Sequence, residues 1–137
     1  QEFLTRLRRA FPGESFLLVR YGDHQPDFAS WMLEPGLDET AINKRLVAND
    51  PRYFTTYYAI DTINFRPVGT ASALETIEGP YLPLIVQEAA GLPLDSSFLE
   101  QKRIMQRCKG LFYGCAGGAE ARRFNRQLID AGLIKGL

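Results

Sequence analysis

Apolar residues recur at helical spacing over residues 2–11 (EFLTRLRRAF), with Phe3, Leu4, Leu7 and Phe11 on one side and Arg6, Arg8 and Arg9 on the other. This pattern predicts an amphipathic helix laid over a sheet. Pro12-Gly13 ends it, and Phe16-Leu17-Leu18-Val19 follows as a short apolar run, expected to be a strand buried on both faces. A helix feeding a strand through a short link is the αβ half of a βαβ unit. The strand that should precede that helix is absent, so the fold is expected to begin upstream. Asp38 is placed to cap a helix over 39–48 whose stripe is Ile42, Leu46 and Val47. Asn49-Asp50-Pro51 marks a turn, and the aromatic and β-branched residues of 53–63 predict a second strand.

Residues 68–79 are small and polar and read as a loop or weak hairpin. Tyr81 to Ala90 predicts a helix that tolerates Pro83 in its first turn and stops at Gly91 and Pro93. Ser97 is the expected cap of a helix over 98–109, with Phe98, Ile104 and Met105 inward. Gly114 to Gly118 reads as a flexible link. A last helix, 119–131, would bury Ala121, Phe124, Leu128 and Ile129 and end at Gly132. The fold class is therefore α/β: a few-stranded sheet flanked by helices over about 1–95, then a helical extension over about 96–137. No repeat, low-complexity tract or domain boundary interrupts it.

A chain of 137 residues, 45% of them hydrophobic, is long enough for one domain with a real core and too apolar for disorder. Sixteen basic and sixteen acidic residues cancel, so no field of one sign draws nucleic acid or an anionic membrane. No apolar run approaches the ~20 residues needed to span a bilayer. The opening Gln1-Glu2 is not the basic start of a signal peptide.

Asp23 and the chain's single histidine, His24, stand together just after the first predicted strand, and Pro26 forces the chain to turn away. In open α/β sheets ligands sit outside the carboxyl ends of strands. The pair is accordingly a candidate metal or acid/base site, since imidazole and carboxylate both ligate zinc or manganese. Two ligands fall short of the usual three plus an open position. A dyad of Asp23 and His24 in a small self-contained hydrolase is one alternative. Cys115 with His24 as nucleophile and base is another, without local context to favour it. Cys108 and Cys115 enclose KGLFYG and read either as reduced, part-buried thiols or as a short disulfide loop in an oxidising compartment. Phosphate-loop, GxGxxG and G-x-S-x-G motifs are missing.

VRYGDHQP (residues 19–26) resembles the strand followed by Asp-His near the carboxyl end of sulfatases and their alkaline-phosphatase-like relatives, which include lipoteichoic acid synthases and phosphoethanolamine transferases. YLPLI at 81–85, continuing to AGLP at 90–93, is similar to that family's late helix, and the order and separation of the two elements also match. The resemblance covers about residues 3–95, and GDHQP is closest to the bacterial cell-envelope branch.

It implies a partial three-layer α/β/α domain in which Asp23 and His24 hold a divalent metal (Mn, Zn, Ca or Mg), with the nucleophile and other ligands in earlier strands outside this chain. It further implies a sulfatase or a phospho- or sulfo-ester hydrolase or transferase acting on envelope glycans or lipids. The parent protein would be held to the membrane by an N-terminal anchor, its catalytic part in the periplasm or on the outer face of the inner membrane. Gln25 stands where many sulfatases have Gly, which leaves the substrate class open. Such a location would permit a Cys108–Cys115 disulfide. The partners implied are the rest of the same catalytic domain and a second copy paired through an open sheet edge; the isolated chain would be inactive. A non-catalytic binding or assembly module of the same fold class is the alternative.

Overall fold

The computed structural model describes residues 2–26, 28–48, 50–69, 74 and 76–135. Among them run α1 (Glu2–Ala10), β1 (Phe16–Tyr21), α2 (Ala29–Leu33), α3 (Glu39–Val47), α4 (Pro51–Phe54), β2 (Tyr58–Ile63), α5 (Leu82–Ala89), α6 (Ser96–Arg107) and α7 (Ala119–Asp130). The fold is mixed α/β and about 52% helical, so helices rather than the sheet carry the packing. Two compact units share the chain: Leu17–Asp61, and Gln1–Phe16 with Thr62–Leu137.

In the first unit β1 and β2 form a two-stranded antiparallel sheet. Phe16 to Val19 are half-buried, which corrects the expectation of a strand buried on both faces. Arg20 pairs with Asp61 across the strands at 2.8 Å. The second strand is shorter than its composition predicts, because residues 51–54 turn into a helix. The Asp50 carboxylate accepts from Arg52 N at 3.1 Å, and Pro51 brings a preset φ to the first helical position, where its missing N–H costs nothing. Local capping thus overrides the β preference of Tyr53 and Phe54. In α3 the Asp38 side chain accepts from Ala41 N at 2.7 Å, as a capping residue should. Of the predicted stripe, Ile42 is half-buried while Leu46 and Val47 are exposed.

In the second unit α5, α6 and α7 close on one core of Tyr81, Leu84, Ile104, Met105, Cys108, Phe112, Ala121 and Phe124. Phe112 sits edge-on to Tyr81 at 5.5 Å and to Phe124 at 5.9 Å, arrangements that match the aromatic quadrupole. Asp95 rather than Ser97 caps α6: its carboxylate accepts from Phe98 N at 2.9 Å, and Ser97 Oγ donates to that same carboxylate at 2.7 Å. A ladder of charges joins α6 to α7, with Arg123 to Glu100 at 2.6 Å, Arg123 to Glu120 at 2.8 Å and Arg107 to Glu120 at 2.8 Å. The predicted link at 114–118 is a tight turn in which Ala116, Gly117 and Gly118 take positive φ, and Cys115 is disulfide-bonded to Cys108. Gly110 has no side chain for a packing reason, since a Cβ there would lie 2.4 Å from Thr76 O. The segment 68–79, read above as a loop, lies partly outside the described residues.

Before the sheet, Asn64 ties down the turn after α1 by donating to Pro12 O at 3.2 Å and Glu14 O at 2.6 Å. Helix α1 buries none of its residues; Leu4 and Leu7 are half-covered and Phe3 is exposed.

Candidate functional site

The turn that carries Asp23 and His24 is pinned on both sides. Before the pair, Gly22 N donates to Tyr57 O at 3.0 Å, extending the antiparallel ladder by one bond. A Cβ at Gly22 would collide with the Thr56 hydroxyl, so a larger residue there would require the Thr56 side chain to turn away. After the pair, Gln25 Nε2 donates to Thr55 O. Both anchors reach the same short stretch, 55–57, and hold the intervening two residues outward as a fixed bend.

Within the bend, Asp23 Oδ1 accepts from His24 N at 3.0 Å. His24 Nδ1 lies 3.0 Å from Gln25 O. A carbonyl can only accept, so Nδ1 carries a proton, and whenever the ring is neutral its lone pair is on Nε2. Nε2 in turn stands 3.7 Å from Asp23 Oδ2. Metal-binding histidines commonly have this arrangement, in which one ring nitrogen donates to a backbone carbonyl and fixes the tautomer of the other. The side chains are 74% (His24) and 81% (Asp23) exposed, so neither is buried in the apolar interior.

The pair fits a cation chemically. Its 3.7 Å separation is less than twice the ~2.0–2.2 Å ligand distance of zinc, so one ion can touch both atoms. Among the described residues, however, no group of three or more His, Cys, Asp or Glu comes together to hold a metal. The strand-end argument also changes. The crevice rule applies to parallel sheets, whereas here the carboxyl end of β1 lies beside the amino end of β2. What positions Asp23 and His24 is the pinned bend, not a crossover.

Beyond Gln25 a cavity of about 230 Å³ is walled by Gln25, Pro26, Ser30, Leu33, Ile42 and Tyr53. Behind it Glu34 collects three partners: Tyr53 Oη at 2.7 Å, Arg45 Nε at 3.2 Å and Arg52 Nη2 at 3.4 Å. The Tyr53 hydroxyl, then the two arginines, hold the Glu34 carboxyl below its usual range, and the same hydrogen bond raises Tyr53. Sequence reasoning passed over Glu34, because partners 11, 18 and 19 positions later follow no helical or strand period. With its oxygens committed in this way, Glu34 braces α2, α3 and α4 and is not a proton donor in waiting. Cys115, bonded to Cys108, has no thiol to serve as a nucleophile in this state.

No protein-family model matches the sequence, and no curated protein or solved structure matches it. Among the described residues no helix is long and apolar enough to cross a membrane.

Proposed function

We propose that Asp23 and His24 are two ligands of a divalent cation in a metal-dependent sulfatase, or a related phospho- or sulfo-ester hydrolase or transferase, acting on cell-envelope glycans or lipids. The nucleophile and remaining ligands belong to parts of the same catalytic domain outside this chain. In this reading the sheet extends into a three-layer alkaline-phosphatase-like domain placed outside the cytoplasm. The observation that carries it is the pinned bend, in which a carbonyl orders the His24 tautomer and Asp23 Oδ2 stands 3.7 Å from Nε2. Exposed apolar side chains add support: Trp31 is 69% and Met32 73% accessible, surface that further chain would cover. When bound, the cation would activate the nucleophile and offset charge on the sulfuryl or phosphoryl oxygens. The residues of this chain hold and orient; they make no bond to substrate.

Zinc titration followed by NMR of the His24 ring tests this. With two protein ligands the expected affinity is weak, on the order of millimolar, and His24→Ala and Asp23→Ala each abolish the saturable response. The isolated chain is expected to hydrolyse neither sulfate nor phosphate esters above the His24→Ala background. Turnover that depends on His24 would instead make it a self-contained hydrolase. Absence of any response at millimolar zinc would favour the second reading, a non-catalytic module that pairs through the sheet. That reading draws on the two strands having one neighbour each among the described residues, which leaves backbone groups open for a partner.

A further inference from the structure

The loop between α6 and α7 does more than connect them. Glu78 N donates to Gly110 O at 2.9 Å, and the Glu78 carboxylate accepts from Phe112 N at 2.5 Å, from Tyr113 N, and from Gly114 N at 3.4 Å. Tyr81 Oη donates to Leu111 O at 2.9 Å. Residues 110–114 therefore form a cradle of successive backbone groups that grips the segment 76–81, and Gly110 allows the two backbones to touch at Thr76 O.

The cradle is closed at its base by the Cys108–Cys115 disulfide, which joins residues seven positions apart with Cα atoms 5.6 Å from each other. The residue after each cysteine is in the left-handed region without being glycine: Lys109 at φ 51° and Ala116 at φ 48°. At Lys109 the helix end accounts for it: Lys109 N donates to Gln106 O at 3.4 Å and Gly110 N to Met105 O at 2.9 Å, a Schellman stop to α6, while Ala116 begins a run of positive φ with Gly117 and Gly118. The disulfide ties the two ends of the cradle together, and Leu111, Tyr113, Gly114, Ala116 and Gly117 are all exposed, so their side chains add little packing to hold the loop. Cys108 lies in the core while Cys115 is only half-covered, so an incoming thiolate meets Cys115 first.

We propose that the Cys108–Cys115 disulfide is a redox-controlled clasp that holds the Glu78 segment in its backbone cradle. The reductant is a dithiol. Its thiolate attacks Cys115 Sγ, the Cys108 sulfur leaves and takes up a proton, and the second thiol of the reductant resolves the mixed disulfide, freeing Cys115 as a thiol. The reductant is oxidised to a disulfide, and two electrons and two protons end on the protein's two cysteines. The two ends of the loop are then free to part, the amides of 112–114 no longer converge, and Glu78 is released, while α5, α6 and α7 stay packed through their apolar core. The clasp is independent of the role proposed for Asp23 and His24.

Amide hydrogen exchange on the whole chain, with and without dithiothreitol, tests it. Reduction is expected to speed exchange at least tenfold at Phe112, Tyr113 and Gly114, leaving Ile104 and Phe124 protected. The Cys108→Ser/Cys115→Ser double variant is expected to show the same local pattern without reductant. The proposal is overturned by unchanged exchange at 112–114 on reduction, by loss of protection throughout α6 and α7, or by two titratable thiols in protein prepared under oxidising conditions.

Discussion

Tyr81 shows how much one side chain can hold in a small core. It is fully buried, packs edge-on against Phe112, and donates its hydroxyl to Leu111 O at 2.9 Å. Burial, reinforced by the nearby charges of Glu78 and Glu120, pushes its pKa from 10 up to about 12. A phenol with a folded-state pKa above its unfolded value adds stability that is complete below pH 10 and disappears as pH rises toward about 12. Tyr81→Phe is expected to cost about 0.5–1.5 kcal/mol at neutral pH, the net worth of one hydrogen bond. It should also flatten the loss of stability between about pH 10 and 12. Urea midpoints of both proteins across that range check the two effects together. The periodicity of 81–90 reveals that Tyr81 opens a helix, but not that its hydroxyl reaches residue 111.

At the next level up, short-range chemistry decided the elements wherever it was unopposed. Asp38 capped α3 because a carboxylate at that position meets a first-turn amide whatever surrounds it. Competition between neighbouring caps was harder to read. Asp95 and Ser97 both suit the start of α6, and Asp95 won because starting the helix at Ser96 lets its carboxylate reach Phe98 N and also accept from Ser97. Asp95→Ala is therefore expected to lower the thermal midpoint by a few degrees, and Ser97→Ala by clearly less, in matched scans. The same competition explains α4. Asp50, Pro51 and Arg52 supply a cap, a preset φ and a side chain that folds back on Asp50 at 2.7 Å, and these outweigh the β preference of the aromatic pair that follows.

Considered as a whole, the chain owes much of its acid sensitivity to carboxylates paired with arginines. Asp50 is held down to about 2, first by its hydrogen bond to Arg52. Glu34, Asp95, Glu100 and Glu120 are also lowered, by Tyr53, by the Phe98 amide, and by Arg123 for the last two. Depressed carboxyl pKa values contribute stability that is present above the unfolded values and lost as pH falls through the folded ones. On the acid side the predicted profile falls between about pH 4 and 2, and it is flat from about pH 5 until the Tyr81 range begins near pH 10. Since these groups are near solvent, added salt should reduce the slope. Denaturant midpoints at several pH values, at low and high salt, give the comparison.

Helix period, caps and turn residues act within about four positions, so they could be read directly from the residues themselves. That is why α1, α3, α5, α7 and β1 were foreseeable, and why Asp23 and His24 could be located at the end of a strand. Contacts bridging 11 to 36 positions follow no period. Folding alone determined that β1 pairs antiparallel with β2, that Glu34 gathers Arg45, Arg52 and Tyr53, and that Glu78 fills the cradle at 112–114. The candidate site divides in the same way. Its two side chains were evident from adjacency, but the bonds that set its shape come from Thr55 and Tyr57, more than thirty residues away along the chain and brought close only by the sheet.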